Sequence, residues 1–146
     1  MYKNILVPVD LNEKGFCDKA VEQATWIGER SQATLHLLTV VPGIHMSMVA
    51  TYFPKDAAAK MKADVSQQLE EFAQTQVPST MPYQTYVVEG KPYSTIIEYA
   101  KKLNADLIVM PSHKRSKLDK VVLGSVASKV VEFSPISVMV VKPLEL

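Results

Sequence analysis

Five short runs of consecutive apolar residues recur along the chain, and segments with helical spacing separate them. This alternation limits the fold more than any other feature. The first run spans residues 2–10 and centres on Ile5-Leu6-Val7-Pro8-Val9. The second is Leu35-His36-Leu37-Leu38-Thr39-Val40-Val41, closed by Pro42-Gly43. The third covers residues 83–89 around Tyr86-Val87-Val88, the fourth is Asp106-Leu107-Ile108-Val109-Met110, and the fifth covers residues 136–141. Short β-branched runs without polar alternation are how strands buried on both faces read.

Between them, Phe16, Ala20, Ala24 and Ile27 predict a helix ending near Arg30, and Met61, Val65, Leu69 and Phe72 predict a second. Pro92 suits a first helical turn, followed by the stripe Tyr93, Ile96, Ile97, Ala100 and Leu103. Residues 124–133 predict a fourth helix, closed by Pro135. Residues 44–54, rich in Met and aromatics, have no clean period and read as a covering loop or short helical turn. Strands alternating with helices imply right-handed crossovers, hence an α/β fold: a three-layer, doubly wound, five-stranded parallel sheet. Residues 1–146 read as one domain without repeat or linker.

A chain of 146 residues with 47% hydrophobic residues can bury enough surface to fold without disulfide or metal. A net charge of +1 argues against a nucleic-acid partner, which needs an excess of Lys and Arg. No apolar stretch approaches the roughly 18 residues of a membrane span. The single cysteine, Cys17, fits a reducing compartment, and the start lacks the pattern of a secretion signal. These points lead to the expectation of a soluble, cytoplasmic protein.

In an open parallel sheet, ligands bind outside the carboxyl ends of the strands, where the strand order reverses. The ends here are Pro8-Val9-Asp10, Val40-Val41-Pro42 and Met110-Pro111-Ser112-His113. After the last comes a basic loop with Lys114, Arg115, Lys117 and Lys120, then Leu123-Gly124-Ser125-Val126 at a helix start. Such a start presents unpaired N–H groups and partial positive charge, an anion site suited to phosphate. Gly124 lets an anion approach the backbone, and Ser125 is the expected N-cap. The plainer alternative is a capped helix after a solvated basic loop. Asp10 suits a ribose or base contact, or simply begins a turn. Val40 and Val41 suit an adenine wall or the core. His113 suits a phosphate contact or acid–base work, or is a solvated loop residue.

Other chemistry has no motif. The five glycines are too widely spaced for a dinucleotide fingerprint or a Walker A loop. His36, His45, His113 and Cys17 lack zinc-ligand spacing. No nucleophile is paired with a base in a recognisable pattern.

The chain resembles the universal stress protein family along essentially its whole length. The likeness runs through Lys3-Asn4-Ile5-Leu6-Val7-Pro8-Val9-Asp10, Leu35 to Pro42, Glu89-Gly90-Lys91-Pro92 and Ala105 to Met110. It continues in Ser112-His113, Leu123-Gly124-Ser125-Val126-Ala127-Ser128-Lys129-Val130 and Ser137 to Val141. The family's ATP-binding branch carries G-x-x-G, nine residues, then G-S or G-T. Here that spacing is kept as Pro111-x-x-Lys114, nine residues, then Gly124-Ser125, with both leading glycines replaced. A subgroup with a Ser-His-basic run after strand four is associated with adenine nucleotides despite this loss; the non-binding branch also lacks the glycines.

The resemblance implies an adenine nucleotide α-hydrolase-like fold with strand order 3-2-1-4-5. It implies ATP or AMP as ligand, with Mg2+ accompanying ATP, and a role in stress survival. By motif, Pro8, Val9 and Asp10 would line ribose and base, and Val40 and Val41 would hold adenine. Met110, Pro111, His113 and Lys114 would face ribose and phosphates; Gly124, Ser125, Val126 and Ala127 would bind phosphates. A nucleotide-free interaction module, its cleft occluded by Pro111 and Lys114, and a weak nucleotide hydrolase are the competing readings. In that strand order the fifth strand is an apolar sheet edge, and the family's dimers use it, so a homodimer through this strand is expected; the plainer alternative is a monomer whose edge is shielded by the tail Leu144-Glu145-Leu146.

Overall fold

The computed structural model describes residues 1–12, 15, 17–43, 57–112 and 123–142. The strands are β1 (Asn4–Pro8), β2 (Thr34–Val41), β3 (Tyr83–Glu89), β4 (Leu107–Pro111) and β5 (Ser137–Val141). The helices among the described residues are α1 (Asp18–Ser31), α2 (Ala57–Gln76), α3 (Pro92–Lys102) and α4 (Ser125–Phe133). All five strands are parallel, in the order β3-β2-β1-β4-β5. The expected loop at residues 44–54 and the helical position Phe16 lie outside the described residues.

The consecutive apolar runs arise because neighbouring strand residues face opposite layers. Ile5, Val7, Leu35, Leu37 and Val109 pack with Ala20, Val21 and Ala24 of α1 and Leu69 and Ala73 of α2. Leu6, Leu38, Ile108 and Met110 pack on the other face with Ile96 and Ala100 of α3 and Ala127 and Val130 of α4. Each large aliphatic side chain buried this way contributes about 1.5–3 kcal/mol. Burial on both faces holds for the inner strands β1, β2 and β4. It does not hold for β3 and β5, most of whose residues are only half-buried. They are the sheet edges, and an edge strand has one neighbour instead of two.

Loops at the carboxyl ends are tied back to the sheet. Gly90 ends β3 at φ +155° and donates its N–H to the Val41 carbonyl at 3.0 Å. A Cβ at Gly90 would run into Thr95 Oγ1 on α3, so glycine here serves both the backbone angle and the close approach of α3. Pro92 stands at the first position of α3, where its missing N–H would have no helical acceptor.

Candidate functional site

The strand order reverses between β1 and β4: from β1 the chain proceeds outward to β2 and β3, and from β4 outward to β5. The helices that follow these two central strands, α1 and α4, pack on opposite faces of the sheet, the arrangement in which ligands of open α/β sheets bind at the carboxyl ends. Pro8 ends β1 and is followed by Val9 and Asp10; Pro111 ends β4 and is followed by Ser112. The Gly124 N–H donates to the Ser112 carbonyl at 2.8 Å, and the Ser112 N–H donates to the Val141 carbonyl at 3.0 Å. These two bonds fix the start of α4 beside the end of β4.

Gly124, not Ser125, is the N-cap of α4. The expected Ser125 cap is therefore corrected by one residue: Ser125 is the first helical residue, and among the described residues no side-chain cap bond is made at this end. Gly124 has φ −64° and ψ 161°, angles open to any residue, so what the glycine supplies is the missing side chain. The first intrahelical bond runs from the Ser128 N–H to the Gly124 carbonyl at 2.9 Å. The N–H groups of Ser125, Val126 and Ala127 thus have no acceptor within the helix. No acidic residue occupies its first turn. Partial positive charge of about half a unit gathers at such an end.

Asp10 is half-buried at the end of the β1 connection. Its Oδ1 accepts the Asn12 N–H at 3.0 Å, and its own N–H donates to Cys17 Sγ at 3.3 Å. Asp10 does begin a turn, as the plainer reading has it. That turn engages Oδ1 of its carboxylate.

The remaining expected residues divide by what they can offer. Val9, Val41, Met110 and Ala127 are each no more than 6% exposed, and their side chains belong to the core, Val9 and Val41 on the α1–α2 face and Met110 and Ala127 on the α3–α4 face. The Val9 N–H donates to the Leu38 carbonyl at 2.8 Å, and the Val9 carbonyl accepts the Thr39 hydroxyl at 3.1 Å. Pro8, Val40, Pro111 and Val126 are half-buried, and Val40 and Val126 pack against the α3–α4 layer. His113, Lys114 and the rest of the basic loop to residue 122 lie outside the described residues. Two residues absent from the expected set shape this end of the sheet: Ser112, 1% exposed, and Cys17, 2% exposed. Both hold main-chain groups of their neighbours, a role that residue type does not signal.

Titration shifts lie elsewhere among the described residues. Burial lowers the pKa of His36 and raises that of Tyr86. The hydrogen bond to Glu70 raises that of Tyr83, and the N–H groups of Asn4 and Lys3 lower that of Asp106. Among the described residues, no group of three or more His, Cys, Asp or Glu side chains could hold a metal ion. No helix among them is long and apolar enough to cross a membrane. A cleft of about 350 Å³ lies by the opposite, amino-terminal ends of β2 and β3, lined by Gly28, Glu29, Gln32, Ala33, Thr80, Met81 and Pro82. Among the described residues that line it, Glu29 is the ionisable one.

Comparison with known proteins agrees with this architecture. The family model described as "Universal stress protein family" matches residues 1–142. Universal stress protein G of Salmonella typhimurium is 32% identical over 148 residues, covering 97% of this chain and all of that protein. Among solved structures, universal stress protein UspA from Lactobacillus plantarum is 33% identical with a TM-score of 0.73, covering 97% of this chain and 98% of the other. A universal stress protein solved in complex with cAMP matches at 23% identity and a TM-score of 0.66, covering 97% of each chain; at that identity the likeness concerns the fold. With a family model spanning nearly the whole sequence and a relative above 30% identity over nearly all of both chains, the chain belongs to the universal stress protein family.

Proposed function

We propose that this protein binds an adenine nucleotide, ATP or AMP, in the crevice between β1 and β4, and acts as a cytoplasmic regulatory or survival factor in stress. The observation that carries the reading is the start of α4. Three successive N–H groups without helical acceptors stand beside the end of β4, with no side-chain cap among the described residues and no acidic residue in the first turn. This arrangement fits phosphate. Asp10, at the end of the neighbouring β1, has a carboxylate suited to ribose or base. Val40 would supply an apolar wall for adenine, with main-chain groups of Val40 and Val41 beside it. Met110 and Pro111 would border the ribose, with His113 and Lys114 toward the phosphates. The cAMP complex of a relative supports an adenine nucleotide as the ligand class.

Mg2+ would arrive with ATP, held mainly by the phosphates, because the described residues form no acidic cluster for it. The chain's own contribution would be binding and orientation. Calorimetry with ATP and with the Gly124→Val variant tests the reading. A branched side chain at the cap would screen the N–H groups, and affinity is expected to fall at least about tenfold, the worth of one or two charge-assisted bonds. Equal affinity in the two proteins, with circular dichroism showing both folded, would sink the assignment.

A second property rests on the sheet edge. We propose a homodimer formed through β5, whose Val138, Met139 and Val140 are half-buried on a strand with β4 as its only strand neighbour among the described residues. Sedimentation equilibrium decides between one and two copies.

A further inference from the structure

The end of β1 is held by a sulfur atom. Val9 still behaves as part of the sheet and sends its N–H to Leu38 on β2. Successive residues of an extended chain turn their main-chain groups to opposite sides, so the N–H of Asp10 turns away from β2. There Cys17 Sγ, rather than a strand carbonyl, accepts it at 3.3 Å. The thiol also lies 4.0 Å from the Asp10 carbonyl oxygen, at the limit of an S–H···O contact. The sulfur is carried on a fixed support: Cys17 is the N-cap of α1, and its carbonyl accepts the Val21 N–H at 3.0 Å. Asp10 is thus gripped at both ends. Its main chain is tied to α1 through Cys17, and its Oδ1 is tied to Asn12.

We infer that Cys17 is a positioning residue for Asp10, setting the Asp10 main chain, and with it the carboxylate, in the orientation that nucleotide binding uses. The inference rests on the nucleotide reading above. Cys17 touches no ligand in it. At 2% exposure the thiol is a buried hydrogen-bonding group, not a reactive one. Removing the sulfur leaves the Asp10 N–H without its partner and frees the turn to rotate, so orientation suffers before packing does.

The test measures AMP affinity by calorimetry for the wild type, Cys17→Ala, Cys17→Ser, Asp10→Ala and the Cys17→Ala/Asp10→Ala double variant. Exchange of the Asp10 amide hydrogen is followed by NMR in the variants that keep Asp10. Cys17→Ala is expected to weaken AMP about fivefold, the net worth of one hydrogen bond, and to expose the amide to exchange. Cys17→Ser, which keeps an acceptor, is expected to restore both. Adding Cys17→Ala to Asp10→Ala is expected to cost no further affinity. Unchanged affinity in Cys17→Ala, or an equal loss in the Asp10→Ala background, overturns the inference; the latter means Cys17 acts through general packing. If the wild type binds no AMP, it is the nucleotide reading that fails, and the amide then decides the tether. Protection in wild type and Cys17→Ser that is lost in Cys17→Ala upholds the tether, and the same exchange in all three overturns it. Cys17→Val, which fills the volume without a polar atom, replaces Cys17→Ala if that variant does not fold.

Discussion

Nε2 of His36 lies 2.9 Å from the Oδ1 of Asn4, joining β2 to β1 through side chains inside the α3–α4 layer. The Asn4 oxygen can only accept, so Nε2 carries the proton. Nδ1 is then the acceptor, and the Tyr86 hydroxyl donates to it at 2.9 Å. The Tyr86 ring in turn meets Tyr99 of α3 edge-on at 5.8 Å. One neutral imidazole therefore satisfies polar groups from β1 and β3 in a place where charge is costly.

This arrangement predicts a pH dependence of stability. Burial lowers the His36 pKa below 6.5, so the unfolded chain takes up a proton more readily than the folded one. The stabilisation is complete above the unfolded value and is lost as pH falls from there toward the folded pKa. Urea unfolding between pH 8 and pH 5 is expected to show declining stability in the wild type. The decline is expected to be shallower in His36→Gln, which cannot titrate. Asp106, whose pKa lies below the carboxylate value of 3.8, contributes with the same sign but only at lower pH. Parallel curves for wild type and His36→Gln would remove His36 from the account.

How much of this was legible in the residues depends on sequence distance. The runs at β1, β2 and β4 are readable because each buries both faces, and β3 is readable to its end residues, Tyr83 and Glu89. Pro92 marks the start of α3 by chemistry that is local. The Asn4–His36–Tyr86 chain is not readable, because it joins residues 32 and 50 positions apart through sheet register. In sequence, His36 is simply a histidine without metal spacing. The cap of α4 lies one residue before the expected Ser125 for a local reason. Ser is the better capping side chain, yet Gly124 takes the extended cap angles and Ser125 enters the helix. The Cys17–Asp10 bond is invisible to residue type, since it uses a main-chain N–H.

Gly90 predicts a coupled pair of substitutions. At φ +155°, with a Cβ directed at Thr95 Oγ1, Gly90→Ala is expected to destabilise the fold by about 1–3 kcal/mol. Thr95→Ala removes the steric part and leaves the backbone strain. Urea unfolding of the double variant should therefore show less than the sum of the two single losses. Strict additivity would mean that the side-chain approach carries no energy.

Asp10 predicts an equal loss for two ligands. In the orientation proposed, its carboxylate meets the ribose or base, which ATP and AMP share. Asp10→Ala is expected to weaken both to the same degree, by about 1–3 kcal/mol if a charge-assisted bond is lost. A loss confined to ATP would place Asp10 by the phosphates and reverse the orientation of the nucleotide. Calorimetry with each ligand separates the outcomes.

The edge strand β5 predicts assembly. Its residues Ser137–Val141 pair with β4 on one side, from Leu107↔Ser137 to Pro111↔Val141. Among the described residues the sheet ends there, so the main-chain groups pointing outward from β5 meet no further described strand. The edge carries Val138, Met139 and Val140 with no charge among them, and α4 exposes Val131 and Phe133. A second copy, related by a two-fold axis, could pair β5 with β5 antiparallel and cover apolar surface from both molecules. Val140→Pro removes the residue's N–H and fixes φ within the strand. If the N–H of Val140 points outward, the dimer is lost; if it points toward β4, the fold itself is weakened. Circular dichroism distinguishes these cases, and Met139→Pro tests the alternate set of main-chain groups. Sedimentation equilibrium at micromolar concentration is expected to give twice the chain mass of 16.2 kDa for the wild type and the single-chain mass for the folded variant that blocks the edge. A wild-type mass near that of one chain, or folded variants of both kinds that remain dimeric, would exclude β5 as the interface.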